Sequence, residues 1–267
     1  MYEIYGDKTA KQTIIAIPAL GERKEMFIPL AIKIPNFQIL AFDLPGNNGQ
    51  FSDNYSISSF IEYIKTTIEQ LEIKEAHFIG SSLGAWIIQA FAAQFPEAVQ
   101  SLTLLDGGFY FLGERQEVHE DVELPTEIEN FEEIKVAVHE LTYSIPNLTK
   151  ESYENFERYF LNNYIKIGSF YRHHCNEIAY NALAKELVTT NYCLQATTIP
   201  MQLLFTVEDK DDFALSKIEQ FKVLHPTSKV IRIEHGHHYL PLTNSDDVAK
   251  CLLSFLLKLS GQCKKIT

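Results

Sequence analysis

Short runs of β-branched and other apolar residues alternate along the chain with longer stretches in which apolar residues recur every three or four positions. The short runs are typical of buried strands, and the longer stretches are typical of helices that bury one face. Helices are predicted over residues 57–71, 82–95 and 246–259. Strands are predicted over residues 13–17, 37–42, 76–79, 101–105, 201–206 and 229–233. Strands separated by helices predict an α/β fold with a mostly parallel central sheet flanked by helices.

The alternation stops between residues 110 and 190. This segment is helical in pattern, acidic and rich in aromatic residues, and it contains no convincing strand. The strand pattern then returns at residue 201. We therefore predict a core formed by residues 1–109 and 191–267, with a helical cap formed by residues 110–190.

The 267 residues carry 35 acidic and 23 basic side chains, which gives a formal net charge of −12. We expect such a chain to bind nucleic acid and anionic membrane surfaces poorly, because binding to either needs clustered Lys and Arg side chains. The segment 110–190 holds 15 acidic and 7 basic residues, so most of the net charge belongs to the predicted cap. There it favours solubility, and we expect it to disfavour anionic substrates at the entrance.

The four cysteines form no C-x-x-C pair, and the first residues lack the basic and apolar regions of a signal peptide. These features predict a cytoplasmic protein with reduced thiols. The composition does not decide between a monomer and a homodimer.

The sharpest chemical signal is Gly80-Ser81-Ser82-Leu83-Gly84, a G-x-S-x-G sequence between a predicted strand and a predicted helix. A serine on a sharp turn between a strand and a helix has a strained backbone, and its neighbours at −2 and +2 must be small. Only Ser82 has glycine at both of these positions, so Ser82 is the candidate nucleophile. The backbone N–H of Leu83 lies at the start of the helix, where an oxyanion is favoured.

A serine needs a base, and the nine histidines supply candidates. His235, His237 and His238 lie between the last predicted strand and the last predicted helix. That loop reaches the carboxyl edge of a parallel sheet, where ligands bind, so this group is favoured. His77 lies on the strand of the nucleophile, and we predict that it packs within the sheet. A metal site is the weaker interpretation of the histidine group, because the nearest carboxylate downstream is Asp246 and a histidine-rich sequence alone is weak evidence.

The imidazole in turn needs a carboxylate that holds its tautomer. Residues 207–212, V-E-D-K-D-D, follow a predicted strand and supply several acids at the same edge of the sheet.

These residues together resemble the α/β-hydrolase-fold superfamily, in particular its serine esterases with a helical cap, over nearly the whole chain. The order serine, acid, histidine is the order of that family. The sequence D-L-P-G-N-N-G at 43–49 resembles the family's D-x-P-G-x-G loop, L-L-D-G-G at 104–108 its strand before the cap, and P-M-Q-L-L-F at 200–205 its strand before the acid. The sequence I-P-A-L-G at 17–21 stands where the family usually has H-G-x-G. The short N-terminal segment implies one edge strand, around residues 2–5.

The resemblance implies a catalytic triad of Ser82, Asp209 and His238, with the backbone N–H groups of Leu20 and Leu83 as the oxyanion hole. Asp209 is nine positions after the proline that precedes its strand, which is the family's spacing. The backbone N–H of Leu20 can serve although proline and alanine replace the usual histidine and glycine, because it does not depend on the side chain.

Two assignments stay open at this point. His237 is the alternative base, since it takes the place of the family's usual glycine and a shift of one residue would exchange the two histidines. Asp211 and Asp212 are the alternatives to Asp209.

The resemblance implies a serine hydrolase that cleaves small, mainly apolar carboxylic esters through an acyl-enzyme. A serine at the elbow argues against haloalkane dehalogenases and epoxide hydrolases, which use aspartate there. A lactonase, a carbon–carbon bond hydrolase with the same triad, and a non-catalytic ligand-binding protein on a hydrolase scaffold remain alternatives. No cofactor is expected, because the chemistry needs none and the chain contains neither G-x-x-x-x-G-K nor G-x-G-x-x-G. The expected partner is a small-molecule ester.

Overall fold

A computed structural model describes residues 2–49, 54–115, 120–124, 127–192, 197–206 and 211–261. Within these ranges the strands are β1 (Tyr2–Gly6), β2 (Thr13–Ile17), β3 (Gln38–Phe42), β4 (Ala76–Ser81), β5 (Val99–Leu105), β6 (Tyr164–Ile167), β7 (Phe170–His173), β8 (Met201–Phe205) and β9 (Lys229–Arg232). All six strands predicted from the apolar runs are therefore confirmed.

The helices lie between these strands, as the periodicity predicts. They are α1 (Ile28–Lys33), α2 (Ile57–Gln70), α3 (Leu83–Gln94), α4 (Phe131–Ser144), α5 (Lys150–Leu161), α6 (Glu177–Thr189), α7 (Asp212–Leu224), α8 (Leu240–Thr243) and α9 (Ser245–Leu259). None of the helices in the described ranges is long and apolar enough to cross a membrane.

The central sheet has seven strands in the order β1-β3-β2-β4-β5-β8-β9. Strand β1 pairs antiparallel with β3, and every other pair in this sheet is parallel. The mostly parallel sheet is confirmed, and so is the single edge strand near the start of the chain. Because β4, β5, β8 and β9 run in the same direction, the loops after them meet at one edge of the sheet.

Both faces of the sheet are buried at its five central strands, which is why these strands are apolar runs, whereas the edge strands β1 and β9 are partly exposed. Along β2, Ile15 and Ile17 pack with α2 and α3 on one face. Ile14 and Ala16 pack with α1 and α9 on the other face. Each face of the sheet therefore has its own hydrophobic cluster.

The segment between β5 and β8 contains more than helices. Strands β6 and β7 form an antiparallel hairpin around Gly168, and Ile128 pairs with Tyr171 beside it. The expectation of no strand between residues 110 and 190 is therefore wrong. Each of these strands has four residues, and none of these residues is fully buried, so neither strand contains a buried apolar run. The Gly-Ser pair between them is a hairpin signal that could have identified them.

This inserted segment packs on loops that follow core strands. The backbone N–H of Asn176 donates to the carbonyl of Gly46 over 3.0 Å, and Gly46 lies after β3. The hydroxyl of Ser152 donates to the carbonyl of Thr243 over 2.7 Å, and Thr243 lies after β9. Leu183 of α6 joins the core on the face of α3. The insertion therefore lies against the carboxyl edge of the sheet.

Candidate active site

Ser82 occupies the turn between β4 and α3 in a strained conformation, with φ 49° and ψ −113°. A positive φ is uncommon for a residue with a side chain and persists where the surrounding structure enforces it. The backbone N–H of Ser82 donates to the carbonyl of Leu105 over 2.8 Å, which fixes the turn to the neighbouring strand. The structure thus places Ser82 in the elbow that the G-x-S-x-G sequence predicts.

The two glycines of the motif are required by close backbone contacts. A Cβ atom on Gly80 would lie 2.3 Å from the carbonyl carbon of Gly84. A Cβ atom on Gly84 would lie 2.2 Å from the carbonyl oxygen of Ile17 and 2.9 Å from that of Pro18. The first turn of α3 is therefore pressed against the end of β2.

This contact brings together the two segments that carry the predicted oxyanion donors. Leu83 is the first residue of α3, where a backbone N–H has no acceptor within the helix. Leu20 lies in a turn after β2 in which the N–H of Glu22 donates to the carbonyl of Ala19 over 3.0 Å. Gly21 has φ 75° in this turn, as glycine permits.

His238 lies in the loop between β9 and α8, and its Nδ1 atom is 2.7 Å from Oδ2 of Asp106. Asp106 directly follows β5 and has φ 47°. Its carboxylate also accepts hydrogen bonds of 2.8 Å from the backbone N–H and from the hydroxyl of Thr206. The carboxylate is thus held in place by the end of β8 while it contacts the imidazole.

The carboxylate of Asp106 is also close to the elbow, because both of its chain neighbours contact Ser82. Leu105 accepts the hydrogen bond from the Ser82 N–H. A Cβ atom on Gly107 would lie 2.6 Å from the carbonyl oxygen of Ser82. Ser82, Asp106 and His238 therefore share one edge of the sheet.

Asp209, the acid implied by the resemblance, lies outside the described residues. Asp211 caps α7 by accepting from the backbone N–H of Ala214, and it pairs with Arg115 over 2.7 Å. Asp212 is the first residue of α7. Within the described ranges, the carboxylate that contacts His238 is that of Asp106.

Sequence reasoning missed Asp106, although a signal was present. Asp106 is the third residue of the L-L-D-G-G sequence, directly after the strand that neighbours the one before Ser82. An acid after that strand also reaches the carboxyl edge of the sheet. The family's usual spacing drew attention to the loop after β8 instead.

The other candidate histidines have different surroundings. His237 stacks on Tyr239 with ring centroids 5.4 Å apart, and burial lowers its pKa. His235 has φ 54° and lies 3.4 Å from the amide of Asn147. His77 is buried beside the hydroxyl of Ser101, and burial lowers its pKa to about 4. The prediction that His77 packs within the sheet is confirmed.

A buried carboxyl group lies near this edge as well. Glu22 is 6% exposed, and burial raises its pKa to about 7, against the opposing effects of Tyr159, Arg23, His238 and Asn163.

Within the described ranges, no group of three or more His, Cys, Asp and Glu side chains is arranged to hold a metal ion.

The sequence profile of the alpha/beta hydrolase fold matches residues 12–245, which is most of the chain. The chain belongs to the α/β-hydrolase-fold family. The matched range contains the elbow serine, Asp106 and His238, so the family assignment and the site geometry concern the same part of the molecule.

Curated relatives match over a shorter region. The chain is 27% identical over 110 residues to the monoacylglycerol lipase ABHD6 of Homo sapiens, which is 39% of this chain and 33% of that protein. It is 26% identical over 110 residues to the monoacylglycerol lipase abhd6-A of Xenopus laevis, with the same coverage. The match thus spans about a third of the length of these relatives.

Solved structures resemble the whole fold at low identity. An E-2-(acetamidomethylene)succinate hydrolase has a TM-score of 0.76 at 18% identity, covering 96% of this chain and 94% of that one. A thioesterase domain from the curacin biosynthetic pathway has a TM-score of 0.71 at 15% identity, covering 94% of both chains. A marine microorganism esterase has a TM-score of 0.67 at 17% identity, covering 96% of this chain and 98% of that one. Resemblance at this identity establishes the fold.

Proposed function

We propose that the protein is a serine hydrolase that cleaves carboxylic esters through an acyl-enzyme on Ser82. The observation that carries this proposal is the 2.7 Å contact between His238 Nδ1 and Asp106, next to a serine held at a positive φ. A nucleophile, a base and a carboxylate that orients the base are the three groups that acyl transfer requires.

We propose a separate role for each ring nitrogen of His238. When Nδ1–H donates to Asp106, Nε2 carries a lone pair and can accept a proton. Nε2 takes the proton of Ser82 as the serine oxygen attacks the ester carbonyl, and Asp106 stabilises the imidazolium that forms. The backbone N–H groups of Leu20 and Leu83 are the proposed donors to the oxyanion.

The tetrahedral intermediate formed by this attack then collapses. The bond between the carbonyl carbon and the alcohol oxygen breaks, and the imidazolium returns its proton to the departing alcohol. Water adds to the acyl-enzyme, with His238 taking its proton, and the bond to Ser82 then breaks as the imidazolium returns that proton to the serine oxygen and the acid is released. Proton transfer through His238 thus balances in each half of the reaction.

The ester class is supported by the relatives. The curated proteins that match residues of this chain are named monoacylglycerol lipases, and an esterase is among the structures with the same fold. We propose small, mainly apolar esters as the substrates. We also propose that the insertion 110–190 acts as a cap over Ser82 and that the protein works in the cytoplasm without nucleic-acid or membrane partners.

A fluorophosphonate probe tests the proposal directly, because it labels only a serine that a base activates. We expect stoichiometric labelling of the wild-type protein at Ser82 and hydrolysis of p-nitrophenyl esters of increasing chain length. Ser82→Ala removes both labelling and turnover. The matched control is Ser81→Ala, which alters the adjacent, buried hydroxyl.

Labelling and turnover should survive in the Ser81→Ala protein. A folded wild-type protein that resists the probe would instead support a non-catalytic binding protein. Esterase turnover retained by purified Ser82→Ala protein would remove Ser82 from the mechanism.

A further inference from the structure

Residues 22–24 end the turn after β2, and side chains from two distant segments hold their backbone. One of these segments is the loop after β3. In that loop, Nδ2 of Asn47 donates to the carbonyl of Glu22 over 2.6 Å. The carboxylate of Asp43 accepts from the backbone N–H of Lys24 over 3.1 Å and from its ammonium group over 2.9 Å. The loop after β3 therefore fixes both ends of this three-residue stretch.

The insertion holds the residue in the middle of the stretch. The backbone N–H of Arg23 donates to the hydroxyl of Tyr159 on α5 over 2.7 Å. The Nε atom of Arg23 donates to Oδ1 of Asn163, just after α5, over 2.9 Å. The hydroxyl of Tyr159 also interacts with the carboxyl of Glu22. Each of three consecutive residues thus has a backbone polar group paired with a side chain that is distant in sequence.

These contacts are shielded from water. Asp43 and Asn47 are each 1% exposed, and Tyr159 is 5% exposed. A short 3₁₀ helix, Lys24–Phe27, begins at this point, and the first N–H groups of a helix have no acceptor within it. Losing one of the contacts would leave a buried backbone group unpaired, which is costly. We call the side chains of Asp43, Asn47 and Tyr159 the turn clamp.

The other end of the turn is fixed against the helix of the nucleophile. A Cβ atom on Gly84, in the first turn of α3, would lie 2.2 Å from the carbonyl oxygen of Ile17 and 2.9 Å from that of Pro18. Leu20, whose N–H is a proposed oxyanion donor, therefore lies between this contact and the turn clamp. An oxyanion donor acts only at hydrogen-bond distance from the developing charge, so the rate depends on where this N–H is held.

We propose that Asp43, Asn47 and Tyr159 are positioning residues that hold the backbone N–H of Leu20 where the oxyanion forms. They act through the backbone of residues 22–24 and need no contact with the substrate. This inference rests on the proposed ester hydrolysis and deepens it. It gives the insertion a part in the chemical step through Tyr159, in addition to the proposed role as a cap.

An ester and the matching thionoester, in which sulfur replaces the carbonyl oxygen, report on the oxyanion donors. Backbone N–H groups stabilise an anionic oxygen more than the larger and softer sulfur, so the ester depends more on their position. The substrates are p-nitrophenyl butanoate and its thionoester, and the quantity measured is the ratio of their kcat/KM values. A variant that only loses folded molecules lowers both values equally and leaves this ratio unchanged.

Tyr159→Phe removes one contact of the turn clamp and keeps the aromatic ring. A displaced donor forfeits part of the roughly 10²–10³-fold that one oxyanion donor supplies, so we expect kcat for the ester to fall by about 10–100-fold and the ratio by about tenfold. KM should stay within about threefold, because the contact acts on the transition state. The matched control is Tyr153→Phe, which removes another hydroxyl of α5, 2.9 Å from Nδ1 of His139. It should change kcat and the ratio by less than about twofold.

Asn47→Ala tests a second contact of the turn clamp and leaves the interaction between Tyr159 and the carboxyl of Glu22 in place. We expect kcat for the ester and the ratio to fall by about tenfold each. This variant also covers the case that Tyr159→Phe does not fold. The matched control is Asn181→Ala, which removes a similar hydrogen bond of 3.0 Å from an amide to the carbonyl of Val122 and should leave the ratio unchanged.

The outcomes separate this inference from the proposed function. Fluorophosphonate labelling of Ser82 in the wild type, combined with an unchanged ratio in either folded variant, overturns the turn clamp and leaves the hydrolase standing. So does an equal fall of the ratio in Tyr153→Phe, or a wild type that cleaves ester and thionoester with equal kcat/KM. If wild-type Ser82 is not labelled and neither substrate is cleaved, the hydrolase proposal fails and the turn clamp, which serves that reaction, fails with it.

Discussion

Asp106 combines an unusual backbone conformation with a fully used carboxylate. Its φ of 47° is one that aspartate and asparagine tolerate better than most residues. Its two oxygens accept from the N–H and the hydroxyl of Thr206 and contact His238. The side chain is therefore held by Thr206, directly after β8, in contact with the imidazole of His238.

Asp106→Asn tests this role with little change in structure, since asparagine keeps the same shape and tolerates the positive φ. We expect kcat for an ester substrate to fall by roughly 10³–10⁴-fold, because the amide no longer fixes the tautomer of His238 that leaves Nε2 free to accept a proton. The measurement is steady-state hydrolysis beside a thermal melt that reports folding.

Two further variants distinguish Asp106 from the other candidate acids, Asp211 and Asp209. Asp211→Ala removes the side chain that caps α7 and pairs with Arg115, so it should lower stability by about 1 kcal/mol with little loss of activity. If Asp209→Asn abolishes turnover and Asp106→Asn does not, then Asp209 is the acid and the Asp106 assignment is wrong.

At the scale of elements, the elbow depends on how closely α3 approaches β2. Helix α3 begins directly after Ser82, and its first turn contacts the carbonyl oxygens of Ile17 and Pro18. That approach is set by backbone atoms, which cannot rotate away as a flexible side chain can. The position of the nucleophile is thus coupled to the loop that carries Leu20.

Gly84→Ala would test this coupling. The new Cβ would lie 2.2 Å from a backbone oxygen, so α3 has to move away from β2. We expect a loss of at least about 2 kcal/mol in the free energy of unfolding and a marked fall in kcat. Urea denaturation and ester hydrolysis measure the two effects.

Gly168→Ala is the control for this variant. Gly168 has φ 61° and no atom near its Cβ position, in the turn of the β6–β7 hairpin. Alanine there should cost about 1 kcal/mol from the backbone alone and should leave kcat unchanged. Equal effects of the two substitutions on kcat would contradict the coupling.

At the scale of the whole molecule, several buried histidines oppose protonation in the folded state. Burial lowers the pKa of His77 and of His173 to about 4 and that of His174 to about 2, from an ordinary value of 6.5. Below pH 6.5 the unfolded chain therefore binds more protons at these three sites than the folded chain. Glu22 acts in the opposite direction between its ordinary value of 4.5 and about 7, where the folded state holds the extra proton.

Because the three histidines together outweigh the opposite effect of Glu22, we predict that the free energy of unfolding falls as the pH drops below 6.5. Each buried histidine contributes up to about 1.4 kcal/mol per pH unit in this range. We expect the free energy of unfolding, measured with urea, to fall by a few kcal/mol between pH 7 and pH 5. His77→Gln should make this dependence shallower, whereas His139→Gln, at an exposed position on α4, should not change it.

A stability that stays constant or rises from pH 7 to pH 5 would contradict the burial of these histidines. Their location gives the result a further meaning, because His173 and His174 belong to the insertion and His77 to the core sheet. If the insertion and the core lose stability together as the pH falls, the two parts of the molecule unfold as one unit.

The sequence by itself determined the sheet, the order of its helices and the elbow serine. Parallel strands that are buried on both faces are near-continuous apolar runs, and the segments 13–17 and 76–79 have this pattern. The G-x-S-x-G motif determines its own local geometry, because only glycine at 80 and 84 allows the backbone contacts that are observed. These features depend on neighbours that are close in sequence or on a periodicity that a single segment carries.

Only the tertiary structure brings the carboxylate of Asp106 against His238 and Arg23 against Asn163. The contact between Asp106 and His238 joins residues 132 positions apart, and it exists because β5, β8 and β9 are neighbours in the sheet. A loop rich in acids looks equally suitable in sequence, since a pattern does not give the direction of a side chain. The hydrogen bond from Arg23 Nε to Asn163 Oδ1 likewise joins the turn after β2 to a distant part of the insertion. Such contacts follow from how the elements pack, and the packing is a property of the whole chain.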